Sequence, residues 1–147
     1  MRNFSLKMMI IFFISSTCFA EEEKITVEVS GVNIVKGGNI IVLVFSRDGF
    51  PIRHEKALSN QVKKVSDSQM IFTFDAPPSD EMAFKVLHDE DSNNKVTKNW
   101  TGVWPREGLG FSNGAMLSTF GAPDFDAAKA SRKDAVNNGI KMRITYP

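Results

Sequence analysis

Apolar residues recur at every second position over much of this chain. In residues 24–35, KITVEVSGVNIV, Ile25, Val27 and Val29 share one face while Thr26 and Glu28 take the other, the pattern of a half-buried strand. Residues 36–39, KGGN, read as a turn, because Gly37 and Gly38 accept positive φ. Residues 40–45, IIVLVF, form a continuous apolar run expected of a central strand buried on both faces. Together the two segments predict an opening hairpin. In residues 68–76, SQMIFTFDA, Met70, Phe72 and Phe74 oppose Ile71 and Thr73. Pro77 and Pro78 end that strand, since proline cannot donate to a sheet ladder. Residues 81–88, EMAFKVLH, set Met82, Phe84 and Val86 against Ala83, Lys85 and Leu87, and residues 138–146, NGIKMRITY, close the chain as another alternating strand.

Two stretches break the pattern. Residues 47–61 contain Pro51, and HEKALSN at 54–60 suggests a short helical turn. Residues 89 to about 133 read as irregular, punctuated by Gly102, Pro105, Gly108, Gly110, Gly114, Gly121 and Pro123, with one helical turn expected within 124–131. Five or more strands and little helix predict an all-β protein: an antiparallel β-sandwich of transthyretin or immunoglobulin-like type with one long irregular loop and at most short helical turns. A connection of about forty residues is long for a compact domain, and ordered loops of such length usually carry function. Candidate chemistry is therefore sought between His88 and Pro123.

The first twenty residues stand apart. Arg2 and Lys7 with no acid, the apolar run MMIIFFI at 8–14, and the small-residue exit SSTCFA give the three regions of a secretory signal peptide in order. The apolar run is too short to span a bilayer as a helix. Cleavage is expected after Ala20, leaving residues 21–147 as a single domain. Cys18 lacks the preceding leucine-like residue of a lipoprotein site. It leaves with the signal, so the mature chain holds no thiol and no disulfide. The full chain carries 18 Lys plus Arg against 17 Asp plus Glu, formally +1. Removing Arg2 and Lys7 takes it to −1. That balance gives no electrostatic case for nucleic acid or an anionic membrane, and no later segment is apolar enough for a stable membrane insertion. The expected location is the periplasm or the medium of a Gram-negative bacterium.

Residues 88–95, HDEDSNNK, open the long loop. Asp89, Asp91, Asn93, Lys95 and Thr97 fall at alternate positions. An oxygen-ligand calcium loop places side chains at positions one, three and five, a backbone carbonyl at seven and a further oxygen at nine. Asn94 stands where such loops need positive φ, which asparagine tolerates. Position twelve, where a bidentate glutamate belongs, is Trp100, and Glu107 is the carboxylate farther along that replaces it. The metal candidates are thus Asp89, Asp91, Asn93, Lys95, Thr97 and Glu107, with Ca2+ as the ion. The alternative is a solvated acidic turn whose Asp and Asn side chains cap their own backbone.

Other chemistry is less well marked. His88 beside Asp89 and Glu90, with Ser112 or Ser118 as nucleophile, would make a hydrolase. However, G-x-S-x-G is absent and GFSNG follows no strand with a strained elbow. His54 and His88 share no zinc spacing, and no catalytic residue is assigned. Trp100 and Trp104 would form a binding platform if exposed, or pin the loop to the sandwich if buried; the second reading is favoured. His88, Trp100, Trp104, Ser112 and Asn113 make up the candidate ligand surface.

The stretch HDEDSNNKVTKNWTGVWPREGLGFSNGA, followed by GAPDFDAA, resembles the bacterial domain of unknown function 2141 across essentially the whole mature chain. His88, Asp89, Glu90, Asn93 and Lys95 match its first signature, Pro105, Glu107, Gly108 and Gly110 to Asn113 its second, and Pro123, Phe125 and Ala128 its third. Asp91 stands where that family often has asparagine, Asn94 where it has glycine and Thr97 where it has aspartate; Asp80 and Met82 replace a glycine and a tyrosine. The resemblance implies a small exported β-sandwich and brings no activity with it. The expected role is a non-enzymatic binding or structural module, with an unidentified protein or small molecule as partner and a calcium-stabilised acidic loop. A small hydrolase centred on His88 is the alternative, and a subunit that assembles through a strand edge is a third.

Overall fold

The computed structural model describes residues 22–102 and 104–147; the expected signal peptide lies outside the described residues. Strands are β1 Lys24–Ser30, β2 Asn39–Phe45, β3 Ser59–Lys64, β4 Gln69–Asp75, β5 Glu81–Asp89, β6 Leu109–Phe111, β7 Lys129–Ser131 and β8 Ile140–Arg143. Two short helices, α1 Phe125–Ala128 and α2 Arg132–Asn138, flank β7. One sheet runs β4-β1-β8. The other runs β3-β2-β5-β6, with β7 pairing the first half of the same β5 edge that β6 uses farther on. This is the all-β, two-sheet architecture expected. One pairing departs from it, since β1 and β8 are parallel.

The opening hairpin does not form. β1 pairs with β4 and β8, whereas β2 pairs with β3 and β5 in the opposite sheet. Burial explains the separation. β1 and β4 hide one face only, so they belong to an outer sheet. β2 and β5 are buried on both faces, so they belong in a middle layer. The link between β1 and β2 crosses from sheet to sheet through a 3-10 turn at Ile34–Lys36, capped by the Asn33 side chain. The expected helical turn at 54–60 shrinks to His54–Lys56, because Ser59 and Asn60 already pair along β2. β3 shows no alternating pattern in its sequence because it is an edge strand, largely exposed.

The inter-sheet core holds Ile25, Val27 and Val29 of β1, Phe72 and Phe74 of β4, Val42 and Val44 of β2, and Phe84 and Val86 of β5. Each such side chain contributes about 1.5–3 kcal/mol by leaving water. A second apolar cluster covers the far face of the five-stranded sheet. There Leu43, Phe45, Leu87, Leu109 and Phe111 meet Phe125 and Ala128 of α1. Phe50 stacks edge-on against Phe45, Phe111 and Phe125 at 5.7–6.1 Å. The segments expected to be irregular thus form a third layer. α2 was not anticipated from the sequence; Ser131 caps it, its hydroxyl accepting from the Asp134 amide, and Gly139 ends it.

β5 is the axis of the molecule. Lys85, Leu87 and Asp89 point to the third layer, His88 to the core side, and the acidic loop leaves from its end. Two glycines hold that end together. A Cβ on Gly38 would lie 2.2 Å from the Asp89 carbonyl oxygen, and one on Gly110 would lie 2.4 Å from that of Arg143. Gly38 also has φ 74, so both shape and conformation demand glycine there.

Candidate functional site

Asp89 is fully buried at the end of β5. Its Oδ1 accepts from the Asn93 amide at 3.0 Å and its Oδ2 from the Asn94 amide at 2.8 Å. Asp91 is exposed, and its Oδ2 accepts from Asn93 Nδ2 and Thr97 Oγ1, both at 2.9 Å. Glu107 is buried; its Oε1 accepts from the Glu90 amide at 3.0 Å and its Oε2 from the Thr97 amide at 2.8 Å. Glu107, two residues before β6, therefore ties Glu90 and Thr97 of the loop to the start of that strand. Successive side chains also cap the backbone two residues on, Asp91 to the Asn93 amide and Asn93 Oδ1 to the Lys95 amide. Ser92 and Asn94 take up the turning with φ near 60°.

These bonds bring three carboxylates together. One oxygen each from Asp89, Asp91 and Glu107 lies within 4.8 Å of the others. Burial raises the Glu107 pKa above the ordinary carboxylate value; its two amide donors oppose that rise, and the Asp91 and Asp89 charges add to it. Among the described residues, none of the three joins a salt bridge; the nearby Lys36 pairs with Glu90 instead. Of the other metal candidates, Thr97 and Asn93 sit in the same network as hydrogen-bond partners of Asp91. Lys95 brings its amide to Asn93 and is exposed.

The candidate ligand surface does not hold together. His88 is fully buried, with Nδ1 2.6 Å from the Tyr146 hydroxyl and Nε2 2.6 Å from the Gly37 carbonyl. The Gly37 carbonyl can only accept, so Nε2–H donates to it, and Nδ1 pairs with the Tyr146 hydroxyl, which also accepts from the Asn33 amide at 2.8 Å. Both ring nitrogens are engaged in tying the β1–β2 link and the C-terminus to β5. Neither faces Asp89 or Glu90 in the manner a hydrolase needs. Ser112 is also fully buried, donating to the Ala128 carbonyl at 2.5 Å and accepting from the Phe84 amide at 2.8 Å. Asn113 is exposed, with Nδ2 on the Ala127 carbonyl. Trp100, expected to pin the loop, is 96% exposed, and Trp104 is 41% exposed. The reason is local: Asn99 closes a turn on itself through the Trp104 backbone, which carries Trp100 outward.

A family model described as an uncharacterised protein conserved in bacteria, DUF2141, matches residues 27–139. The chain belongs to this family. No curated protein and no solved structure matches it. The DUF2141 match spans both sheets up to Gly139 and includes the whole acidic loop. DUF2141 membership assigns no activity.

One functional group escaped the sequence reading. Lys85, in the middle of β5, is only 4% exposed. Its Nζ donates to the Pro51 carbonyl at 2.9 Å and lies 2.8 Å from His54 Nε2. Burial brings Lys85 down to about 8, with Lys98 adding to the effect. Burial, and then the Lys85 charge, bring His54 down to about 4. The available signal was a lysine sharing a strand face with Ala83 and Leu87 inside an otherwise apolar run.

Proposed function

We propose that this chain is an exported, non-enzymatic binding module whose acidic loop takes a Ca2+ ion, and that the ion fixes the long loop as a ligand-presenting surface. The observation that carries this reading is the meeting of Asp89, Asp91 and Glu107 oxygens within 4.8 Å. Two oxygens on opposite sides of a Ca2+ stand about 4.8 Å apart, twice the usual contact of about 2.4 Å. Each carboxylate oxygen that already accepts one amide keeps a second lone pair, so capping and ligation coexist. Three carboxylates, two of them buried, repel one another, and a divalent cation relieves that repulsion. Backbone carbonyls and waters would complete the shell. The same proposal places the chain outside the cytoplasm, where a site of extracellular type, of order 0.1–1 mM affinity, is of use.

Thermal melting in 5 mM calcium against chelator tests it. The expected stabilisation is about 1–2 kcal/mol, roughly a 3–8 °C rise, lost in Glu107→Gln. An unchanged melting temperature in the parent chain removes the ion from the reading.

A further inference from the structure

Lys85 lies on the floor of a pocket of about 630 Å3 between the 51–55 segment, β6 and the acidic loop. Its walls are apolar, with Phe111, Leu109, Leu117 and the Trp104 ring among them. Such a volume and lining, with a few placed polar groups, are those of a small-molecule site. The polar groups here are unbalanced. Lys95 and Lys98 join Lys85 around the pocket, against a single acid, Glu55. Lys85 itself has no carboxylate partner among the described residues. Its two contacts are a carbonyl and an imidazole that is neutral near pH 7. A buried ammonium held only by neutral acceptors is costly unless an anion completes it, and an ammonium has three donors, of which two are used.

We propose that this pocket binds an unbranched aliphatic monocarboxylate, its carboxylate on Lys85 and its chain along the apolar walls. Positive charge at the floor fits the carboxylate, and the apolar walls, Leu109, Phe111 and Leu117 among them, fit an aliphatic chain. A purely structural lysine, strapping the Pro51 segment to β5, would give the same two hydrogen bonds but no ligand preference. The site is separate from the acidic cluster. Lys85 and Asp89 share the outer face of β5, with Leu87 between them.

Isothermal calorimetry with dodecanoate, its methyl ester and dodecanol, in calcium and in chelator, tests the proposal. Dodecanoate should bind in at least one condition, at least about tenfold more tightly than either neutral analogue, the value of one charged hydrogen bond. Lys85→Met, which preserves packing, should remove that preference. Leu117→Glu, which sets a negative charge in the wall, should weaken dodecanoate binding in a chain with Lys85 intact. Absence of binding in both conditions overturns the proposal, as does equal binding of ester and acid or an unaltered preference in Lys85→Met.

Discussion

Asp89 and Lys85 occupy the same face of the same strand, both buried, yet they are satisfied in opposite ways. Asp89 and Glu107 each accept two backbone amides, and the acidic loop is folded around those bonds. Lys85 donates to one carbonyl and leans on a neutral histidine. The carboxylates are thus structural parts even before any ion arrives, because removing Asp89 strands the Asn94 amide and removing Glu107 strands those of Glu90 and Thr97. The ammonium holds less together and carries an uncompensated charge. A buried charge that is built into backbone bonding and one that awaits a counter-ion should respond differently to the same perturbation.

The sharpest break strikes the acidic side alone. Gly38→Val places a Cβ against the Asp89 carbonyl and the Glu90 backbone, at a φ that β-branched residues avoid. It should destabilise the chain by about 3 kcal/mol or more and abolish any calcium-dependent shift, as read by urea denaturation with and without calcium. A loss below about 1 kcal/mol would mean that the turn does not hold the loop's first residue in place.

The next comparison is one of sign. Asp89→Ala leaves the Asn94 amide without its acceptor and the Asn93 amide with Asp91 alone, and should cost about 1–3 kcal/mol. Lys85→Met removes an unpaired buried charge and keeps the volume, so it should be neutral or stabilising, up to about 4 kcal/mol. Equilibrium denaturation of both variants beside the parent decides the matter. Equal losses would show that Lys85 is as structural as Asp89.

How far these two regions could be read from sequence follows from the same difference. The acidic loop announces itself because its work is local: Asp91 caps Asn93 and Asn93 caps Lys95, and such spacing survives in the linear order. β1, β4, β8 and the two-sided β2 were legible for a similar reason, since burial on one face or both leaves a period. Which strands pair was not legible. Alternation says that β1 is half-buried and nothing about its partner lying in β4 and β8. β6 is three residues long with a glycine at its centre, too short for any period, and its strand character comes from β5 and Thr145 on either side. Trp100 and Trp104 read alike four residues apart, yet Trp100 is almost wholly exposed and Trp104 only partly. Lys85 was hidden by its company, because a single lysine in a strand face is normally the solvent side, and here the third layer covers it.

The finest discrimination comes from pH, through groups on the basic side. His54 falls from 6.5 unfolded to about 4 folded. Between those values the unfolded chain binds the extra proton, so its contribution to stability is intact above about pH 6.5 and lost as pH falls towards 4. Lys85 falls from 10.5 to about 8. In that range the folded chain again holds fewer protons, so stability is depressed at neutral pH and recovers as pH rises from about 8 to 10.5. Both shifts therefore tilt stability upward with pH, in two separate windows. Lys98 reinforces the alkaline window, and Glu55 partly offsets the acidic one. Lys85→Met should erase the alkaline rise and soften the acidic loss, since the Lys85 charge is the second cause of the His54 shift. Denaturation curves of parent and variant at pH 4, 6.5, 8 and 10 isolate this pair from every other titrating group, because only the difference between the two chains is read. A difference that does not change with pH would mean that Lys85 titrates alike in the folded and unfolded chains and that the imbalance between the two halves of β5 does not exist.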